Sequence, residues 1–169
     1  MDHNQKRFSY LVYCGIAVLY FLIFIFSRIP GLSLRVFGVT PILLIPALVA
    51  GAMYFKEIFG LVSGIYVGVL LDSTTATGFF NTAVFTLLGA AAGILATHLL
   101  NKNLRAAVVL TLGVSFMYYL SKWFFYIVLG NEPLKWQFFF EISLPSCIYT
   151  TLYNIPFFYL FKFIYKRFY

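Results

Sequence analysis

Acidic side chains are scarce in this chain: five Asp and Glu are spread over 169 residues, and charged residues of both signs make up only 10%. Ordinary soluble domains carry roughly 25%, so the chain lacks the polar surface that a soluble fold of this length needs. Histidine and cysteine are rarer still. His3 and His98 are too few and too scattered for a metal site. Cys14 and Cys147 each lie in an apolar run and read as buried free thiols, not as a disulfide or a metal pair. No paired carboxylates with a nearby His, no Ser/His/Asp arrangement and no phosphate-cradling glycine loop is present, nor HExxH or CxxC. Nothing in the sequence supports an enzyme or calls for a cofactor.

What is abundant is apolar. Hydrophobic residues make up 62% and aromatic ones 21%, with a mean hydropathy of +0.92. They fall into long uncharged runs that a small soluble core cannot bury, whereas each bilayer crossing takes ~20 such residues. The expected fold is therefore an all-α integral membrane protein of six transmembrane helices, a single polytopic domain over 1–169. The runs place the spans at about 8–27, 36–55, 58–71, 79–100, 106–130 and 136–161. The third is short unless Lys56 snorkels to the interface. The first exceeds the ~7–15 residues of a signal-peptide core and lacks a small-residue cleavage site, so it reads as a retained span.

The net charge of +7 sits in clusters between the apolar runs, which points to topology and anionic lipid and away from nucleic acid. With six spans both termini share one side. That side carries Lys6, Arg7, Lys56, Lys102, Arg105, Lys162, Lys166 and Arg167, against Arg28, Arg35 and Lys135 on the other. Cytoplasmic loops hold the excess of Lys and Arg, so both termini are expected in the cytoplasm. Trp136 would lie at the outer interface, and Tyr165 and Tyr169 at the inner one.

Breakers and small residues shape the interior. Pro41 and Pro46 interrupt the second span, Pro145 and Pro156 the sixth. Each removes a backbone donor and displaces a carbonyl, predicting a kink that serves packing or a functional break. Gly60, Gly64 and Gly68 line one face of the third span, and Gly89 and Gly93 form a second groove on the fourth. Such faces let another backbone approach closely, from within the chain or from a partner's helix. Asp72 ends the third span as an interfacial cap. The hydroxyls of 73–77 offer caps for the next helix, and Gly78 permits a sharp reversal.

Two charges lie inside spans. Lys122 is eight residues before Gly130 and Glu141 five after Trp136, roughly 12 Å and 7–8 Å from the same side at ~1.5 Å per residue. Antiparallel neighbours would bring them to similar depth, so an intramembrane Lys122–Glu141 ion pair is expected; separate snorkelling is the alternative.

The order of these features resembles the MreD family, small polytopic membrane proteins of the bacterial rod-shape and cell-elongation system. The resemblance runs from about Val36 to Arg167. It rests on Pro41-Ile-Leu-Leu-Ile-Pro46, on the Gly60/Gly64/Gly68 helix leading to Gly68-Val-Leu-Leu-Asp72 and Gly78, and on the glycine-rich fourth span. Leu144-Pro145, Tyr149, Tyr153 and Pro156 before a basic tail complete it. It implies a non-enzymatic scaffold in the bacterial plasma membrane that binds the bitopic protein MreC. Through MreC it would reach the polymerase RodA, its class B penicillin-binding partner and MreB filaments, in the service of peptidoglycan synthesis and cell shape. A homodimer is left open. It also implies a fold similar to the substrate-binding subunits of energy-coupling-factor transporters, and such a vitamin-binding subunit is the rival reading. Asp72, Asn81, Lys122 and Glu141 would then supply its polar groups.

Overall fold

A computed structural model describes residues 3–29, 41–75, 78–98, 102–125 and 139–168, with side chains from Val12 onward. The described residues are helical apart from short turns, with no strand among them. In chain order the helices are α1 (His3–Arg28), α2 (Leu44–Asp72), α3 (Phe80–His98) and α4 (Leu104–Trp123). A π-helical turn, Phe139–Ser143, then leads into α5 (Leu144–Leu152) and α6 (Asn154–Phe168). Three of them, α2, α3 and α4, are long and apolar enough to cross a membrane. The protein is thus a helical membrane protein. The expected residues 36–40, 99–100, 126–130 and 136–138, with Trp136 among them, lie outside the described residues, as do Arg35, Lys135 and Tyr169.

The longest helix is not straight. Lys56 takes φ 73° and ψ −175° in the middle of α2, a region that residues with a Cβ rarely enter. The chain doubles back there. A Cβ built on Gly60 would lie 3.2 Å from the Ala52 Cβ, whereas eight residues of straight helix span roughly 12 Å. The segments before and after Lys56 therefore run as two antiparallel limbs, matching the expected break between residues 55 and 58.

Pro41 and Pro46 behave differently from expectation, whereas Pro145 and Pro156 stand at the breaks expected of the last span. Pro41 precedes α2 and Pro46 is its third residue, a first-turn position where the missing N–H costs no helical hydrogen bond. They open the helix instead of kinking it. Pro145 and Pro156 likewise stand in the first turns of α5 and α6. The chain does break there, just ahead of each ring, through the π-helical turn and at Tyr153.

The core lies where the first limb of α2 meets its neighbours. Ile45, Ala47, Leu48, Val49, Ala50 and Ala52 are fully buried, far more completely than any other run of the chain. Tyr20 of α1 donates a hydrogen bond to the Ala47 carbonyl at 3.3 Å, and its ring packs against Phe161 of α6. Tyr13 meets Phe55 and Phe59; Tyr54 meets Phe158 and Tyr165. These contacts gather the N-terminal half of α1, the Lys56 reversal and the C-terminus of α6 at one end of the bundle. Both thiols are free, but Cys14 is exposed where a buried position was expected, and Cys147 is buried.

Candidate functional site

The glycine faces meet each other. A Cβ on Gly60 would strike the Gly89 carbonyl, one on Gly64 the Phe85 carbonyl, and one on Gly68 the Thr82 backbone. From the opposite side, a Cβ on Gly93 would come within 2.6 Å of the Glu57 Cα. The second limb of α2 and α3 thus lie backbone to backbone, antiparallel, as small residues four apart allow. The groove that was open to a partner's helix is filled by the chain's own α3.

Asp72 locks the end of this hairpin. Its Oδ1 accepts from the Asn81 backbone N–H at 3.1 Å and from Asn81 Nδ2 at 2.9 Å. Its Oδ2 accepts from the Thr82 N–H at 2.7 Å and the Thr82 hydroxyl at 2.6 Å. One carboxylate therefore satisfies two of the N–H groups that open α3, the work of an N-cap side chain done from across the turn. Gly78, at φ 62°, supplies the left-handed residue of that turn. Asn81, buried, passes the connection on by accepting a 3.0 Å hydrogen bond from the Tyr118 hydroxyl of α4. Positions 76 and 77 of the expected cap lie outside the described residues; Thr75 Oγ1 reaches α3 by accepting from Asn81 Nδ2 at 3.2 Å, whereas Ser73 and Thr74 do not. The hydroxyls of all three turn back and donate to the Leu70 and Leu71 carbonyls at the end of α2, where the last carbonyls lack helical donors. Thr74 also accepts from the Arg28 guanidinium, tying α1 to the same end.

The expected Lys122–Glu141 ion pair is not formed. Among the described residues the ion pair within 4 Å is His98 Nε2 to Glu57 Oε2, at 3.8 Å. Lys122 and Glu141 are both exposed, and Glu141 lies in the π-helical turn. The depth argument assumed regular α-helix on both sides. A wide turn alters both rise and facing, which removes the register that the pairing needed.

A polar seam that the sequence reading passed over lies in the interior. Thr111, Ser115 and Tyr119 recur every fourth residue on α4; Ser146, Thr150 and Asn154 do so on α5 and the start of α6. All six are at most 8% exposed. The helices that carry them are in contact, with the Cys147 Sγ–H donating to the Leu112 carbonyl at 3.6 Å. Thr111 and Thr150 satisfy their hydroxyls on carbonyls one turn back, and Thr150 accepts from the Ile42 N–H ahead of α2 at 3.3 Å. Ser115 Oγ and both amide atoms of Asn154 have no hydrogen-bond partner among the described residues. Such groups are costly in an apolar interior and are kept where they glue helices or line a hydrated site. The seam carries no charge, so it offers neutral donors and acceptors and no acid–base pair. Its signal was available: a hydroxyl or amide at every fourth position in two apolar runs.

Among the described residues no three His, Cys, Asp or Glu side chains come together in a way that could hold a metal ion. Comparison with protein-family models, curated proteins and solved structures finds no match to this chain.

Proposed function

We propose that the chain is a non-enzymatic scaffold of the bacterial cell-elongation complex. It sits in the plasma membrane in six passes with both termini cytoplasmic, and holds the single transmembrane helix of an MreC-like partner. Through that partner it reaches the RodA polymerase, its class B penicillin-binding protein and MreB. The supporting observation is that the residues carrying the family resemblance act as one frame. Gly60, Gly64 and Gly68 seat α3, Asp72 locks its start, and Gly78 turns the chain between them.

Since α3 fills the glycine face, the partner's helix docks elsewhere on this reading, on outward apolar faces such as those of Leu87, Val109 and Ile148. The vitamin-carrier reading loses two of its four polar groups, because Asp72 and Asn81 are engaged in helix capping. The basic end of the bundle faces the cytoplasmic leaflet and its anionic lipid.

Crosslinking a tagged copy in its native membrane, followed by purification and mass spectrometry, tests the assignment. Recovery of a single-span coiled-coil protein together with a wall-synthesis polymerase is the expected result. Recovery of two ATPases and a coupling membrane protein would make the chain a transporter subunit instead.

A further inference from the structure

One end of the bundle is strongly cationic. Lys56 at the reversal of α2, Lys102 and Arg105 at the start of α4, and Lys162, Lys166 and Arg167 in the last turns of α6 gather there. Of the described carboxylates only Glu57 shares this end, and it faces His98.

Within this end Lys102 stands apart from the rest. Its Nζ lies 4.8 Å from the centroid of the Tyr165 ring and 5.9 Å from that of Tyr54, two rings whose centroids are 5.5 Å apart. Two aromatic faces hold the ammonium by cation–π attraction, yet a ring face accepts no ordinary hydrogen bond, so its N–H donors remain directed outward. The Tyr54 ring is one wall of this corner, and the Tyr54 hydroxyl, on a residue 5% exposed, has no hydrogen-bond partner among the described residues. Directly after Lys102, α4 begins with Asn103 extended and making no side-chain cap. The opening N–H groups of α4 therefore add donors next in sequence to the lysine, and Arg105 adds an exposed cation in the same turn. On α6, Lys162 and Lys166 flank Tyr165 in sequence, and the outward row Ile155, Tyr159 and Phe163 runs from Lys166 back toward the bundle middle. Tyr159 and Phe163 are more than half exposed.

We propose that the Lys102 corner is a seat for a phosphate group, and that its occupant is the headgroup of an anionic phospholipid. A phosphate presents the acceptor oxygens that a fixed ammonium, a guanidinium and uncapped backbone donors can share. The apolar row below Lys166 gives the acyl chains a wall, which a free phosphate would not use. The inference deepens the lipid-facing reading of the basic end. It requires only that the protein is embedded in a membrane, so it stands or falls apart from the scaffold assignment.

The test is native mass spectrometry of the full-length chain released from vesicles containing equal parts of phosphatidylglycerol and phosphatidylcholine. Phosphatidylglycerol should be retained preferentially. Lys102→Gln should lower its retention about fivefold, the effect of one cation near an anionic surface, and Lys102→Arg should keep most of it. Lys56→Gln removes the same charge from the same end outside the corner, and should lower retention clearly less than Lys102→Gln does. Equal losses from Lys102→Gln and Lys56→Gln, or no preference for phosphatidylglycerol, would overturn the seat. Displacement of the lipid by inorganic phosphate at millimolar concentration would keep the phosphate chemistry and overturn the lipid as its source. Unchanged circular dichroism of Lys102→Gln separates lost binding from lost folding.

Discussion

Two residues carry more of this structure than their surroundings suggest. Asp72 takes four hydrogen bonds from Asn81 and Thr82. Removing the carboxylate leaves two opening N–H groups of α3 without their acceptor and takes one acceptor from the buried Asn81 amide, which keeps Thr75 Oγ1. Asp72→Ala should therefore lower stability by about 2–3 kcal/mol, read as a shift of unfolding in mild detergent, with Asp72→Asn recovering part of it. A change below about 0.5 kcal/mol would mean that the capping geometry contributes little. Lys56 is the opposite case, a residue whose backbone conformation suits glycine. Lys56→Gly should raise stability by about 1 kcal/mol, provided that the reversal persists; a loss would show that its side chain does more than tolerate the bend. Asp72 was legible from sequence as a cap at the end of an apolar run. Its donors were not, because Asn81 and Thr82 reach it only once the turn has closed at Gly78. Lys56 was legible only as a boundary, since no glycine or proline marks the reversal.

At the scale of helices, the small-residue spacing was the most readable feature, because close backbone approach leaves few alternatives to Gly. Which helix fills the face was not readable, since the spacing is the same for an internal neighbour and a partner. The structure chooses α3, with consequences for substitution. Gly64→Ala would force its methyl group against the Phe85 carbonyl and should cost about 1–3 kcal/mol. Gly15→Ala, with nothing within 4 Å, should be neutral or stabilise by up to about 1 kcal/mol through helix propensity. If both alanines behaved alike in a detergent-unfolding titration, the backbone-to-backbone seam would be wrong. Pro145 and Pro156 mark the expected breaks of the last span, but counting them and Pro46 as interior residues misled for a clear reason. Counting a span from its apolar edge put Pro46 and Pro156 in helix interiors, while the helices begin later and hold them in first turns. The Lys122–Glu141 pairing failed similarly, for it assumed uniform rise through a segment that contains a π-helical turn. The polar seam yields its own test. Asn154 is fully buried with neither amide atom partnered among the described residues, so Asn154→Leu should hold or raise stability by about 1 kcal/mol. A loss of more than about 2 kcal/mol would mean that the amide makes hydrogen bonds in the membrane, through water or a guest.

For the whole molecule, composition and hydropathy were enough to place the chain in a membrane, because long uncharged runs have few other uses. The charge asymmetry follows the fold as well. The basic clusters, separated in sequence, come together at the end where α2 reverses, α4 starts and α6 finishes. On the proposed six-pass topology α2 supplies two of the passes and the basic end lies inside. The reversal at Lys56 is central, for without it α2 makes a single crossing and every later helix changes orientation.

Single-cysteine labelling tests this directly. With Cys14 and Cys147 replaced by serine, Lys56→Cys, Ser73→Cys and Lys166→Cys would each be probed in intact cells and in inverted membrane vesicles with a reagent that cannot cross the bilayer. Positions 56 and 166 are expected to label only in the inverted vesicles, and position 73 only in intact cells. A cysteine at position 56 that is shielded from both sides, with positions 73 and 166 labelling from opposite faces to those expected, would place Lys56 in mid-membrane and contradict the account.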